Sequence, residues 1–185
     1  MNRFIFTGTP GSGKTAVIQA LEKLGHTVVH ESATEVIAQE QKMGNMRPWE
    51  QADFLDKIMV MQKIRLSKVK ADLQFHDRSL FCVYALGRYL AESNHQRFMP
   101  SPKLLTEIDY CLKTTLYQNQ VFFFENLGFI EHTDARKISY EDALIFEKIH
   151  LETYKQFGFE IILVPKQSIQ ERCEFILKKI KVKSA

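Results

Sequence analysis

The sequence predicts an α/β fold: a mostly parallel five-stranded sheet with helices on both faces. Three observations carry that expectation. Apolar runs of strand length alternate with amphipathic runs of helix length along the whole chain. Gly25, Gly44 and Pro165 fall where those runs should stop. The stretch Gly8-Thr-Pro-Gly-Ser-Gly-Lys-Thr15 stands between the first strand and the first helix, where a glycine-rich loop binds anions.

Arg3-Phe-Ile-Phe6 reads as the first buried strand. Ala16 to Leu24 is apolar at helical spacing and stops at Gly25. His26 to His30 is the second strand. Ser32 followed by Glu35 has the capping-box pattern, so a helix is expected from there to about Gly44. A loop, Gly44 to Pro48, leads into a long helix from about Trp49 to Ala71, with Phe54, Ile58, Met61, Ile64 and Val69 along its apolar side. Leu73 to His76 is a weak strand, because Gln74 and His76 interrupt it. Helices are expected over Ser79–Glu92 and Lys103–Thr115, separated by a polar, Pro-containing loop. Val121-Phe-Phe-Phe124 is the clearest buried strand. Asn126 to Lys137 is irregular. Ser139 caps a helix reaching Gln156, Phe159 to Val164 is the last strand, and a final helix runs from Ile169 to about Ile180.

From Gly8 to Thr15 the loop reads G-x-x-x-x-G-K-T, with a strand before it and a helix after it, which is the context the phosphate-binding motif requires. Its glycines let main-chain N–H groups turn inward around an anion. The helix N-terminus adds free N–H groups and partial positive charge. Gly8, Thr9, Pro10, Gly11, Ser12, Gly13, Lys14 and Thr15 are therefore the expected nucleotide-binding residues. Lys14 would reach the β- and γ-phosphates, and the Thr15 hydroxyl would hold Mg²⁺. ATP and Mg²⁺ are the expected cofactors.

Composition sets the bounds. The chain has 185 residues, of which 45% are hydrophobic and 25% charged, enough for one sizeable core and ordinary for a soluble protein. One domain, residues 1–185, is expected, with a substrate-covering lid at about 126–138. The net charge of +3 argues neither for nor against nucleic acid. The odd count of 3 cysteines, without metal spacing, reads as reduced thiols in a cytoplasmic protein. No signal peptide or membrane-length apolar run is expected. The 6 histidines show no metal-ligand pattern.

Open parallel sheets place ligands at the carboxyl ends of their strands. Glu31, Asp77 and Glu125 end predicted strands and should converge with the loop on one rim. Asp77 suits a metal-holding or proton-accepting carboxylate, though Asp-Arg-Ser is also an ordinary helix start. Arg78 suits either a phosphate contact or a structural ion pair. Glu31 suits a group that accepts or orients a substrate proton, or a solvated charge at a turn. Trp49 either stacks on a ligand or packs. Arg136, within Asp134-Ala-Arg-Lys137, suits a mobile segment that brings charge over a transferring phosphate. The C-terminal lysines read as a solvated helix end.

These residues together resemble a small AAA-type family of kinase-like ATPases, similar to nicotinamide riboside kinases and more distantly to deoxynucleoside kinases. The resemblance spans nearly the whole chain. It rests on Gly8–Thr15, Glu31–Ile37, Pro48-Trp49, Phe54, Gln62, Phe75–Arg78, Asp134–Lys137, Tyr154, Gly158, Val164-Pro165 and Ser168–Leu177. The chain departs from the family's pattern at Thr34, at Phe81-Cys82 and at Glu125–Leu127, around the expected acceptor pocket. The resemblance implies a three-layer P-loop NTPase with a helical lid region, Mg²⁺-ATP binding, a lid near Asp134–Lys137, and adenine near Val164–Lys166, including Pro165.

The function this predicts is transfer or hydrolysis of the ATP γ-phosphoryl, most simply by a kinase for a small nucleoside-like hydroxyl compound. Lys14, Asp77, Glu31 and Arg136 are the expected catalytic residues; Thr15 and Asp77 the metal-holding ones; Glu31, Trp49 and Arg78 the substrate-binding ones. The expected partners are a nucleoside triphosphate and a small-molecule acceptor, with no membrane. The alternatives are a nucleotide-dependent switch that turns over slowly, and a nucleic-acid-associated ATPase, which the sequence supports less for want of a basic, aromatic-studded surface.

Overall fold

A computed structural model describes residues 1–128 and 139–181, the side chain of Lys181 excepted. Five parallel strands form one sheet: β1 Asn2–Gly8, β2 Thr27–Val29, β3 Leu73–Asp77, β4 Gln120–Phe124 and β5 Glu160–Leu163, in the order β2-β3-β1-β4-β5. Seven helices accompany it among the described residues: α1 Lys14–Lys23, α2 Ala33–Lys42, α3 Phe54–Ser67, α4 Leu80–Ser93, α5 Pro102–Lys113, α6 Tyr140–Gln156 and α7 Ile169–Lys181. The expected fold class is the one observed.

The period-2 alternation of strands sorts the core into two layers. Phe4, Phe6, Phe75, Phe122 and Phe124 point to one face, where they meet Val17, Ile18 and Leu21 of α1 and Cys173 and Ile176 of α7. Phe6 is the hub of that layer, with ring centroids 5.1 Å from Phe75 and 5.4 Å from both Phe122 and Phe124. Ile5 and Val121 point the other way, into a core built from α2 to α6. Helices of one layer follow β1 and β5, and those of the other follow β2, β3 and β4.

Three local expectations change. Ser32 makes no side-chain cap bond and its hydroxyl lacks a partner among the described residues. Arg65 of α3 engages the partner a capping box would need: it pairs with the Glu35 carboxylate and donates to the carbonyls of His30 and Glu31. The long third helix is shorter than expected. Pro48–Glu50 form a separate 3₁₀ turn, and α3 ends at Ser67. Its buried side is Phe54, Ile58, Met59 and Gln62, while Ile64 is half exposed. The turn before Phe54 resets the helix entry, which a continuous periodicity does not reveal. Ser139, in contrast, caps α6 as expected, accepting from Asp142 N at 3.0 Å.

Gln74 and His76 do not weaken β3; both are fully buried within it. Arg3 Nε donates to Gln74 Oε1 at 3.2 Å, and Gln74 Nε2 donates to Ala71 O at 2.8 Å. His76 Nε2 lies 3.0 Å from the same Gln74 oxygen. An amide oxygen only accepts, so Nε2 carries a ring proton. Burial, reinforced by Arg3, pushes its pKa down to about 3.

Two predictions follow from this frame. The unfolded chain binds a proton on His76 below about pH 6.5 and the native protein does not until about pH 3. Stability therefore falls as pH drops through that window, by about 2–3 kcal/mol at pH 4.5 from this residue. Urea midpoints at pH 7 and 4.5 should show the loss, and His76→Leu should reduce it, the buried His150 still contributing over the same window. Gly8 ends β1 at φ 140°, where an added Cβ would stand 2.0 Å from Phe124 O. Gly8→Ala should cost at least about 2 kcal/mol, read by the same denaturation.

Candidate active site

The strand register assembles the site. Phe6 pairs with Asp77 on one side of β1, and Gly8 pairs with Phe124 on the other. The chain reverses its direction of winding across β1, so the carboxyl end of β1 is the topological switch point, where open α/β sheets bind ligands. The glycine loop leaves β1 there and enters α1.

Within the loop, Gly8, Gly11 and Gly13 all have positive φ, at 140°, 85° and 76°. Gly13 is the N-cap of α1 in left-handed conformation, and a Cβ on it would meet Arg172 Nη1 at 3.0 Å. Thr9 N donates to Phe124 O at 3.1 Å and Ser12 N to Thr9 O at 3.3 Å. The Ser12 hydroxyl is buried without a partner among the described residues. Thr15 is exposed in the first turn of α1. The loop thus makes a glycine-rich strand-to-helix turn with the N-terminus of α1 at its end, the backbone setting that anion-binding loops use.

Lys14 is buried and forms an ion pair with the equally buried Asp77 at the end of β3. Burial lowers the Lys14 pKa; Asp77 opposes that effect, and the neighbouring Arg78 adds to it. Arg78, the next residue, has φ 71°, a left-handed conformation that costs a non-glycine residue about 1–3 kcal/mol. Its surroundings hold it there. Arg78 N donates to Phe6 O at 2.9 Å, and Gln62 Nε2 donates to Arg78 O at 3.2 Å. The guanidinium donates through Nη2 to Gly8 O at 3.2 Å, lies 5.4 Å from the Phe146 ring centroid, and places Nε 3.9 Å from Glu31 Oε2. Glu31 also accepts from the Thr34 hydroxyl. Burial alone would raise the Glu31 pKa, but Arg78, Thr34 and Lys14 together hold it below the usual carboxylate value. The result is an ionised carboxylate facing a fixed guanidinium.

Behind this pair opens a cavity of about 580 Å³ between α2, α3, α4 and α6. Glu31, Ser32, Trp49, Gln62, Arg78 and His150 line it with apolar residues such as Phe54, Ile58, Leu86 and Phe146. A mostly apolar cleft with a few convergent polar groups is what a small-molecule site needs. Trp49, 39% exposed, stands at this cavity instead of inside the core. Pro165 follows β5 on the same edge of the sheet, with Val164 N bonded to Phe123 O at 2.9 Å. Arg136 lies outside the described residues, as do Asp134, Lys137 and the lid expected there.

Most of the buried side-chain N and O atoms without partners belong to the same places, while His76 Nδ1, Tyr117 Oη and Gln120 Oε1 lie elsewhere. Eight occur among the described residues. Ser12 Oγ and Arg172 Nε lie at the loop, while Ser32 Oγ, Arg78 Nη1 and His150 Nε2 belong to cavity residues. Unsatisfied buried polar groups are costly, and a bound ligand, ion or water is one way they are completed.

Sequence reasoning missed three supporting residues. Arg172 of α7 donates to Ser12 O at 2.8 Å and buttresses the loop. Glu147 of α6 accepts from the Thr9 hydroxyl and, at 2.7 Å, from Asn126 N, tying the loop to the end of β4. His150 lines the cavity. Each lies on a helix far along the chain, and only its position in an amphipathic pattern, where a charged or polar residue stands on a buried face, marks it.

Among the described residues no cluster of three or more His, Cys, Asp or Glu side chains forms a metal cage, and no helix is long and apolar enough to cross a membrane. Solved structures with the same fold include the deoxyadenosine kinase of M. mycoides with products dCMP and a flexible dCDP bound (TM-score 0.64, 18% identity, 97% of this chain and 99% of that one). The same enzyme with bound dCTP matches at TM-score 0.64 and 19% identity over 98% and 100%. Shikimate kinase from Aquifex aeolicus vf5 matches at TM-score 0.56 and 13% identity, over 98% of both chains. At these identities the likeness is one of fold. Comparison with curated proteins found no match. The AAA domain family model matches residues 3–172. With that match across nearly its whole length, and with the fold of P-loop kinases, the chain belongs to the AAA domain family.

Proposed function

We propose that this protein transfers the γ-phosphoryl group of ATP to a hydroxyl of a small, nucleoside-like acceptor. One observation carries the reading: a glycine cradle with Lys14 and Asp77 opens beside a cavity whose mouth holds the Glu31–Arg78 pair. An ATPase without an acceptor has no use for that second, apolar chamber. The kinase folds that the chain resembles agree with it.

The loop amides and Lys14 hold the β- and γ-phosphates, and the adenine end extends toward Pro165. The partnerless Ser12 hydroxyl fits an oxyanion in the cradle. Thr15 and Asp77 offer hard oxygen donors, which suits Mg²⁺ shared with phosphate oxygens rather than a cage of protein ligands. When bound, that ion neutralises charge developing on the phosphates. Glu31, kept ionised, accepts the proton of the attacking hydroxyl. Arg78 orients the acceptor and steadies charge between the two chambers. Trp49 covers the acceptor face. Arg136 supplies lid charge over the transferring group.

The test is ATP turnover with Mg²⁺ across a panel of nucleosides and small hydroxy acids, with detection of the phosphorylated acceptor. Lys14→Ala should lower turnover by about 10²–10³; near-normal turnover contradicts its role. Glu31→Gln should lower kcat by about 10²–10⁴ while leaving ATP affinity unchanged. Loss of ATP binding in that variant contradicts the separation of the two chambers. ADP formation with no acceptor phosphorylated would overturn the kinase reading.

A further inference from the structure

His150 is fully buried on α6 and lines the acceptor cavity, yet nothing in phosphoryl transfer requires it. Its ring is fixed on both sides. Nδ1 lies 2.9 Å from Phe146 O, and the ring stacks on the Phe146 ring with centroids 3.9 Å apart. A carbonyl oxygen accepts only, so the Nδ1 edge holds the ring's proton. Nε2 is then a bare lone pair, and it has no partner among the described residues. Burial opposes a second proton, as do the positive charges of Arg78 and Arg88. In the cavity wall His150 is therefore a rigid hydrogen-bond acceptor. Arg78, whose guanidinium also rests on Phe146, has the complementary character: its Nη1 is a buried donor without a partner.

We infer that His150 selects the acceptor molecule, by requiring an N–H or O–H donor to meet Nε2 while a carbonyl or similar oxygen on the same molecule meets Arg78 Nη1. This rests on the cavity being the acceptor site, but it concerns recognition and not the reacting hydroxyl. A ligand offering both groups satisfies two buried atoms at once. A ligand lacking the donor leaves a desolvated lone pair facing apolar surface, which costs more than the bond itself contributes. His150 is a specificity-determining residue and takes no part in moving the phosphoryl group.

The experiment uses two fragments of nearly equal shape, benzamide and acetophenone, titrated into the whole chain and followed by NMR. Both carry the carbonyl; only benzamide carries the N–H donor. The wild type should favour benzamide by about tenfold in Kd. His150→Leu should erase that preference. His150→Gln, whose amide oxygen reaches the position of Nε2, should restore most of it. Equal binding of the two fragments by the wild type overturns the inference, as does a preference that survives in His150→Leu. Should His150→Leu fail to fold, the wild-type ratio and the His150→Gln ratio still decide. The measurement needs no nucleotide and no turnover. A fragment preference with no kinase activity would sink the proposed reaction alone, and activity without the preference would sink the role of His150 alone.

Discussion

The structure depends on the buried contact between Lys14 and Asp77 at the carboxyl end of β1 and β3. A charged pair so deep is expensive to desolvate, and hydrophobic replacements of similar volume are often no less stable. What it does in the fold is placement. The pair joins the first residue of α1 to the last residue of β3, so it fixes where the glycine loop stands relative to the sheet. The register Phe6↔Asp77 and Gly8↔Phe124 then leaves the loop almost no freedom at its base.

Strain and order are arranged around that point. Arg78 adopts a left-handed conformation directly after Asp77, locked by Phe6, Gln62 and Gly8. That twist turns its side chain away from the strand direction and across to Glu31. Glu147 and Arg172 brace the opposite side of the loop from two later helices. The loop is thus held from both flanks, the arrangement expected of a site whose donors must be in place before the ligand arrives.

The sheet was legible because β1 and β4 are short and strongly apolar, and because Gly8–Thr15 fixes its own context. Asp77, Arg78 and Glu31 were legible because strand ends in an open α/β sheet meet on one rim. The cavity beside them was not. It is built from Trp49 on a 3₁₀ turn, Gln62 on a helix face shifted from the expected one, and His150 and Phe146 on α6. Their meeting depends on helix packing across distant segments, which no local periodicity encodes. Gln74 and His76 misled for a related reason: they look polar in sequence, yet Gln74 bonds both Arg3 and His76 inside the sheet.

If the carboxyl end of β1 receives a triphosphate, as proposed, its binding must stabilise the fold. Thermal unfolding with and without ATP and Mg²⁺ tests it most directly. At about 100-fold its dissociation constant, ligand stabilises the native state by about 2.7 kcal/mol. For a chain of this size that raises Tm by about 5–10 °C. An unchanged Tm at millimolar ATP and Mg²⁺ would contradict the account.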